Sequence, residues 1–288
     1  MRAGAIALPF AVAIGCARAV VPPTPRAASA VAPSPTAGAV PSASASAMAS
    51  ATPSAVAAVA PSSLPEPEPE AEEVEDVADP ADDANAIAAD VYGALTNAQC
   101  LALLKKRKIP YALLGKTSGV ELPLRLTGPL HGVDFHGGEP AALRSTSPSE
   151  ILDCRLALAL DDFAGILEDH HIVEAVHWSI YRAPPIGTED AAADHTAGLA
   201  MDLGALFEDD GSRTGIAEEW RGEIGAKTCG NGAAPVPSTK RAWRLRAVLC
   251  ATAASHFFHV VLTPNFNAAH HDHFHLEIKR HSTFSFVK

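Results

Sequence analysis

The sequence predicts an α+β protein with a single folded domain, a small antiparallel sheet with helices packed around it, preceded by a long segment that does not fold. Three observations carry this. Residues 17–90 are almost wholly Ala, Pro, Ser and Val and turn acidic over 66–83, with too little large apolar surface to offset chain entropy. Residues 152–167 place Leu152, Leu156, Leu160, Phe163 and Leu167 three or four apart, which is a helix with one buried face. Residues 273–278 alternate instead, with His273, His275 and Glu277 on one side and Phe274, Leu276 and Ile278 on the other, which is the period of a strand.

In chain order, residues 1–16 carry Arg2, an apolar run over 3–14 and then Gly15-Cys16. This reads as a secretory signal ending in a lipobox, with Cys16 as the acylated residue and Ala13 where a Leu is usual. An ordinary signal cut near Ala17 or Ala19 is the alternative. The run is too short to span a bilayer, so the expected location is outside the cytoplasm, in the envelope or periplasm, with a lipid anchor as the only membrane contact. Residues 17–90 then form a tether whose ~75 residues of coil reach on the order of 50 Å. They hold 3 Lys/Arg against 11 Asp/Glu, while the remainder holds 19 against 22. Neither part has the basic excess that nucleic-acid binding needs.

The folded domain is expected over 91–288, a size that suits one core. Residues 97–108 read as a helix with a basic last turn, and 120–126 and 130–135 as strands punctuated by Gly and Pro. Ser147-Pro148-Ser149-Glu150 has the form of a capping box opening the striped helix, which ends near Asp169. A strand over 173–181 delivers Arg182. Beyond the acidic turn at 207–215 and a Gly- and Pro-rich loop at 225–237, residues 241–254 read as a helix and 256–262 as a strand. His256 and His259 are expected to be structural.

The chemistry lies in two stretches. His270-His271-Asp272-His273-Phe274-His275 puts four histidines and a carboxylate within six residues, far more than packing requires and the ligand types that suit zinc. Upstream, His195 and Asp202 lie seven positions apart, opposite faces of a straight strand, so the chain must bend near Gly198 before the apolar run that carries Asp202.

H-x6-D followed far downstream by H-x-H resembles the LAS metallopeptidases, the group of D-Ala-D-Ala peptidases, murein endopeptidases and hedgehog domains. Together with Val261-Leu262-Thr263-Pro264-Asn265 and the H-x-D-H-F-H string, the segment 97–278 resembles the bacterial extensin-like C-terminal domain. The resemblance implies a hedgehog/D-Ala-D-Ala peptidase-like fold and a zinc ion held by His195, Asp202 and His275. Zinc's Lewis acidity brings the pKa of a water to about 7, within reach of a general base at neutral pH. Asp272, three residues before His275, takes the place of a catalytic glutamate and is the expected base, with His273 steadying the oxyanion. The reverse assignment stays open. Arg182 takes the place of an arginine that polarises the scissile carbonyl or holds a substrate carboxylate. His270 is expected to hydrogen-bond a ligand. The sequence departs from the pattern at Ser179 and Tyr181, where Y-x-C-R has Tyr and Cys, and at Ala193, where the peptidases have Ser.

With Cys16 assigned to lipid, Cys100, Cys154, Cys229 and Cys250 remain, and an even number in an exported protein points to disulfides. The expected pairs, which the sequence alone does not fix, are Cys229 with Cys250 and Cys100 with Cys154, each contributing about 3 to 4 kcal/mol. Two functions follow from the whole: a tethered zinc-dependent peptidoglycan hydrolase acting on peptide stems, or a non-catalytic zinc-stabilised module that binds the cell wall.

Overall fold

The striped helix forms, but it begins later than the sequence suggests, and the reason lies in one buried carboxylate. In the computed structural model, which describes residues 78–80, 87–185 and 194–288, Ser147–Glu150 is not a capping box. Residues Pro148–Glu150 make a single 3-10 turn. Glu150 accepts from the Gly137 amide at 2.6 Å and from His177 at 3.1 Å instead of reaching back to Ser147. The helix starts at Cys154, capped by Asp153, whose side chain accepts from the Arg155 amide at 3.0 Å. The signal segment, Cys16, Ala193 and most of the tether lie outside the described residues.

Helices α1 (Ala88–Ala94) and α2 (Asn97–Lys106) come first, the second opened by a Thr96/Gln99 capping box. The folded part therefore starts before residue 91. It also includes Asp79, which pairs with Arg107. Strands β1 (Tyr111–Leu113), β2 (Pro123–Leu126), β3 (Asp134–Gly137) and β4 (Leu152–Asp153) surround the short helix α3 (Ala141–Arg144). The long helix α4 (Cys154–Asp169) leads into β5 (Ile172–Ser179), β6 (Ala200–Glu208) and β7 (Arg213–Gly215). The chain closes with α5 (Ile216–Glu219), α6 (Lys240–Ser255), β8 (Val260–Leu262), β9 (Phe274–Glu277) and β10 (Phe286–Val287). The strand expected from 256 starts only at Val260, because His256 takes a left-handed conformation (φ 55°) that ends α6.

Strands β1, β2 and β4 form a small antiparallel sheet. The main sheet has seven strands in the order β10-β8-β9-β6-β5-β3, with β7 beside the far half of β6. It is mixed rather than antiparallel as expected. The pairs β3/β5 and β10/β8 are parallel, the first made possible by the crossover through α3 and α4. Its inner face packs Phe135, Ala175, Met201, Leu203, Phe274 and Leu276 into one core with α4. Two disulfides form, Cys100 to Cys154 inside the core between α2 and α4 and Cys229 to Cys250 between the loop before α6 and α6 itself, the pairs expected, with Cα atoms 6.2 and 5.7 Å apart.

Candidate metal centre

The alternation read from β9 sends Phe274, Leu276 and Ile278 into the core and leaves His275 and Glu277 on the opposite face. Asp202 on β6 stands directly across from His275 in the antiparallel register. His195 arrives by the turn that the sequence requires. Gly198 has φ +65°, and a Cβ there would stand 2.9 Å from the Asp153 amide, so the bend accepts only glycine.

Three imidazoles converge on one oxygen. His195 Nε2 lies 3.2 Å, His273 Nε2 3.3 Å and His275 Nδ1 3.0 Å from Asp202 Oδ1. The other nitrogen of each ring is already engaged. His195 Nδ1 bonds the Ile180 carbonyl at 2.8 Å, His273 Nδ1 bonds Asp272 at 2.9 Å, and His275 Nε2 faces Glu277 at 3.5 Å. With the outer nitrogen already partnered, the inner nitrogen of each ring can either donate a proton to Asp202 or give that proton up and offer its lone pair to an ion. A metal ion that displaces those protons is what three imidazole nitrogens and a carboxylate can share. Asp202 is 3% exposed, and Arg182 engages its outer oxygen.

The spacing agrees with a metal ion. Tetrahedral ligands about 2.0 to 2.2 Å from zinc stand roughly 3.3 to 3.5 Å from one another, close to the separations here. Among the described residues the possible ligand sets are His195, Asp202 and His275; His270, His273 and His275; and Asp194, His275 and Glu277, with ligand atoms in each lying within 4.8 Å of one another. In the last set the Lys279 ammonium already bridges Glu277 and Asp194. That trio therefore backs His275 rather than holding a second ion.

Burial alone would raise the Asp202 carboxyl and lower His273 and His275, but mutual contact wins on both sides. The carboxyl is held far below the usual range by hydrogen bonds from His195, His273 and His275. His275, despite its burial, is pushed up to about 9 by Asp202 and Glu277. Burial and the neighbouring His273 and His275 lower His270, which keeps it neutral.

His195, Asp202, His273 and His275 stand together on this face, and Asp272, His270 and Arg182 lie beside them with three differences from the expected placement. Asp272 reaches the cluster through His273, its oxygens being engaged by the His273 and His271 rings at 2.9 and 3.5 Å. His270 bonds Asn267 at 2.8 Å instead of a ligand, and packs its ring against His273 and His275. Arg182, with 55% of its side chain exposed, spends one arm on Asp202. His259 is structural, accepting from the Lys279 amide at 2.9 Å and bonding the Ser282 carbonyl. Sequence reading missed the roles of Glu277 and Lys279. Glu277 was visible as the third residue of the ligand face.

Fold and cluster together define an α+β domain with histidine and aspartate groups able to bind a metal ion. Residues 99–288 match the family described as Extensin-like protein C-terminus, and the chain belongs to that family. No curated protein and no solved structure matches it.

Proposed function

We propose that the domain is a zinc-dependent hydrolase of peptidoglycan peptide stems, a D-Ala-type carboxypeptidase or endopeptidase with a hedgehog/D-Ala-D-Ala peptidase-like fold. The chain is exported and held in the envelope through lipid at Cys16. The observation that carries this reading is the ring of three imidazoles, each pinned on its outer nitrogen, around one oxygen of Asp202. His195, Asp202 and His275 are the ligands, and Glu277 orients His275. When bound, zinc supplies Lewis acidity that acidifies a water and polarises an amide carbonyl.

The geometry supports the reversed division of labour between Asp272 and His273. His273 presents Nε2 to the cluster while Asp272 holds its Nδ1–H, so His273 is the general base. It takes a proton as water oxygen bonds the amide carbon, then returns that proton to the amine as the C–N bond breaks. Asp272 stabilises the intervening imidazolium. Arg182 pairs with Asp202 through one arm and presents the rest of its exposed guanidinium to a substrate oxygen.

Digestion of purified muropeptides by wild type, His195→Ala and His273→Ala proteins, with zinc content measured beside it, tests the proposal. Cleavage that is chelator-sensitive and lost in both variants, with zinc retained only by His273→Ala, is expected. Intact muropeptides in the presence of a fully zinc-loaded wild type would refute the hydrolase.

A further inference from the structure

The ligand-bearing face of the sheet continues past the metal cluster. Trp178 of β5 is 50% exposed, and its indole stands 5.1 Å, ring centre to ring centre, from His273. The ring covers Gly204 on β6, where a Cβ would meet indole Nε1 at 2.4 Å and two ring carbons at 3.0 Å. Glycine inside a strand weakens it. Here its absent side chain is what lets an aromatic plate lie beside the metal cluster.

A cavity of about 290 Å³ lies over β5 and β6, lined by Trp178, Val176, Gly204, His136, Arg144 and Arg213. Trp178 lines this cavity and packs on His273, so cavity and cluster form one continuous surface. Two arginines line the cavity, Arg144 from the segment after β3 and Arg213 from β7, in a domain where acidic residues outnumber basic ones. Each terminal guanidinium makes one long, partly exposed ion pair, Arg144 to Asp134 at 3.7 Å and Arg213 to Glu218 at 3.5 Å, while Arg144 Nε donates to the Glu139 carbonyl at 3.1 Å. Such pairs contribute little, which leaves both guanidinium forks able to take a carboxylate. The acidic group within the cavity, Glu174, is engaged by His136 at 3.3 Å.

We infer that this groove is a specificity subsite for an extended peptide bearing free carboxylates. The peptide crosses the Trp178 indole, and a carboxylate remote from the scissile bond is bound by Arg144 and Arg213. The inference rests on the hydrolase reading and names what part of the stem is selected.

The test uses the zinc-loaded full chain and two dye-labelled peptides, alanyl-γ-D-glutamyl-lysyl-D-alanine with free carboxylates and the same peptide with both amidated. Fluorescence anisotropy gives the two Kd values, and chromatography of the same samples reports cleavage separately. Wild type binds the acid about tenfold more tightly than the amide, as expected for charge-assisted hydrogen bonds. An Arg144→Gln/Arg213→Gln protein loses that preference with its zinc content unchanged. Trp178→Ala weakens both peptides together and leaves the ratio intact. Equal binding of acid and amide by wild type, or a preference that survives in the double variant, overturns the subsite. Failure to cleave either peptide strikes the hydrolase reading and leaves the ratio readable.

Discussion

Two buried charge clusters in this domain look alike in composition and differ in how well their groups satisfy one another. In the first, Arg107 is surrounded by acceptors. Its Nε bonds Asp79 at 2.8 Å, and its terminal nitrogens bond Asp162 at 2.8 Å, Asp161 at 3.3 Å and the Tyr92 hydroxyl at 2.7 Å. Burial raises Asp161 and Asp162, and Arg107 offsets part of that rise, so that both stay above the ordinary aspartate range. A guanidinium has five donors, and here they meet a matching set of acceptors. The cluster is closed. In the second, Asp202 Oδ1 faces three imidazole nitrogens whose rings have already placed their outer nitrogens elsewhere. Three inward nitrogens on one carboxylate oxygen, able to exchange their protons for an ion, mark a site for a cation, whereas buried charge by itself does not.

Substituting the two clusters therefore has opposite signatures. His275→Ala removes a ligand and is expected to bring zinc content from one per chain to near none. The metal-linked stabilisation lost with it is about 4 kcal/mol when free zinc stands at a thousand times Kd. Thermal melts with and without zinc, beside elemental analysis, check this. A variant that still binds one zinc tightly breaks the comparison at once. Arg107→Ala leaves three buried carboxylates without their cation, at a cost of about 3 to 5 kcal/mol. Zinc affinity should hardly change. Denaturant unfolding with a parallel zinc titration separates the two effects.

A smaller substitution sharpens the contrast. Glu277→Gln keeps the shape but removes the charge facing His275 Nε2, and zinc affinity is expected to fall about 10- to 100-fold with unfolding free energy little changed. Competition with a chromophoric chelator reads this directly, and an unchanged Kd would remove Glu277 from the site. The smallest effect is in pH. His275 titrates at about 9 in the metal-free fold, against about 6.5 for a free imidazole. Its contact with Asp202 stabilises the metal-free protein fully below about pH 6.5, and that contribution is lost as pH rises through about 9. Zinc displaces the same proton, so its affinity rises over the same window. Melting temperatures of stripped and loaded protein between pH 6 and 10 should diverge, and parallel curves would contradict the assignment of His275.

Much of this was legible in the sequence. The period-two alternation of 273–278 fixed which side chains face the cluster, because one face had to enter the core. The seven-residue interval between His195 and Asp202 demanded a bend, and Gly198 was the residue that accepts one. Cysteine parity pointed to the two disulfides. What stayed hidden depends on partners distant in sequence. Ser147 to Glu150 satisfies a local capping pattern, yet the buried His177 claims Glu150. The carbonyl of Ile180 and the amide side chain of Asn267, which pin His195 and His270, carry no motif. The parallel placement of β3 beside β5 follows from a crossover that no local pattern announces. Trp178 reads as an ordinary strand aromatic until Gly204 is seen beneath it.

Crystallographic anomalous difference maps of the zinc-loaded protein, collected on both sides of the zinc absorption edge, test the central claim most directly. The account predicts one strong peak bonded to His195 Nε2, Asp202 Oδ1 and His275 Nδ1, each at about 2.0 to 2.2 Å. A protein that shows no peak there, or one bound elsewhere while these side chains stay hydrogen-bonded to one another, would contradict it.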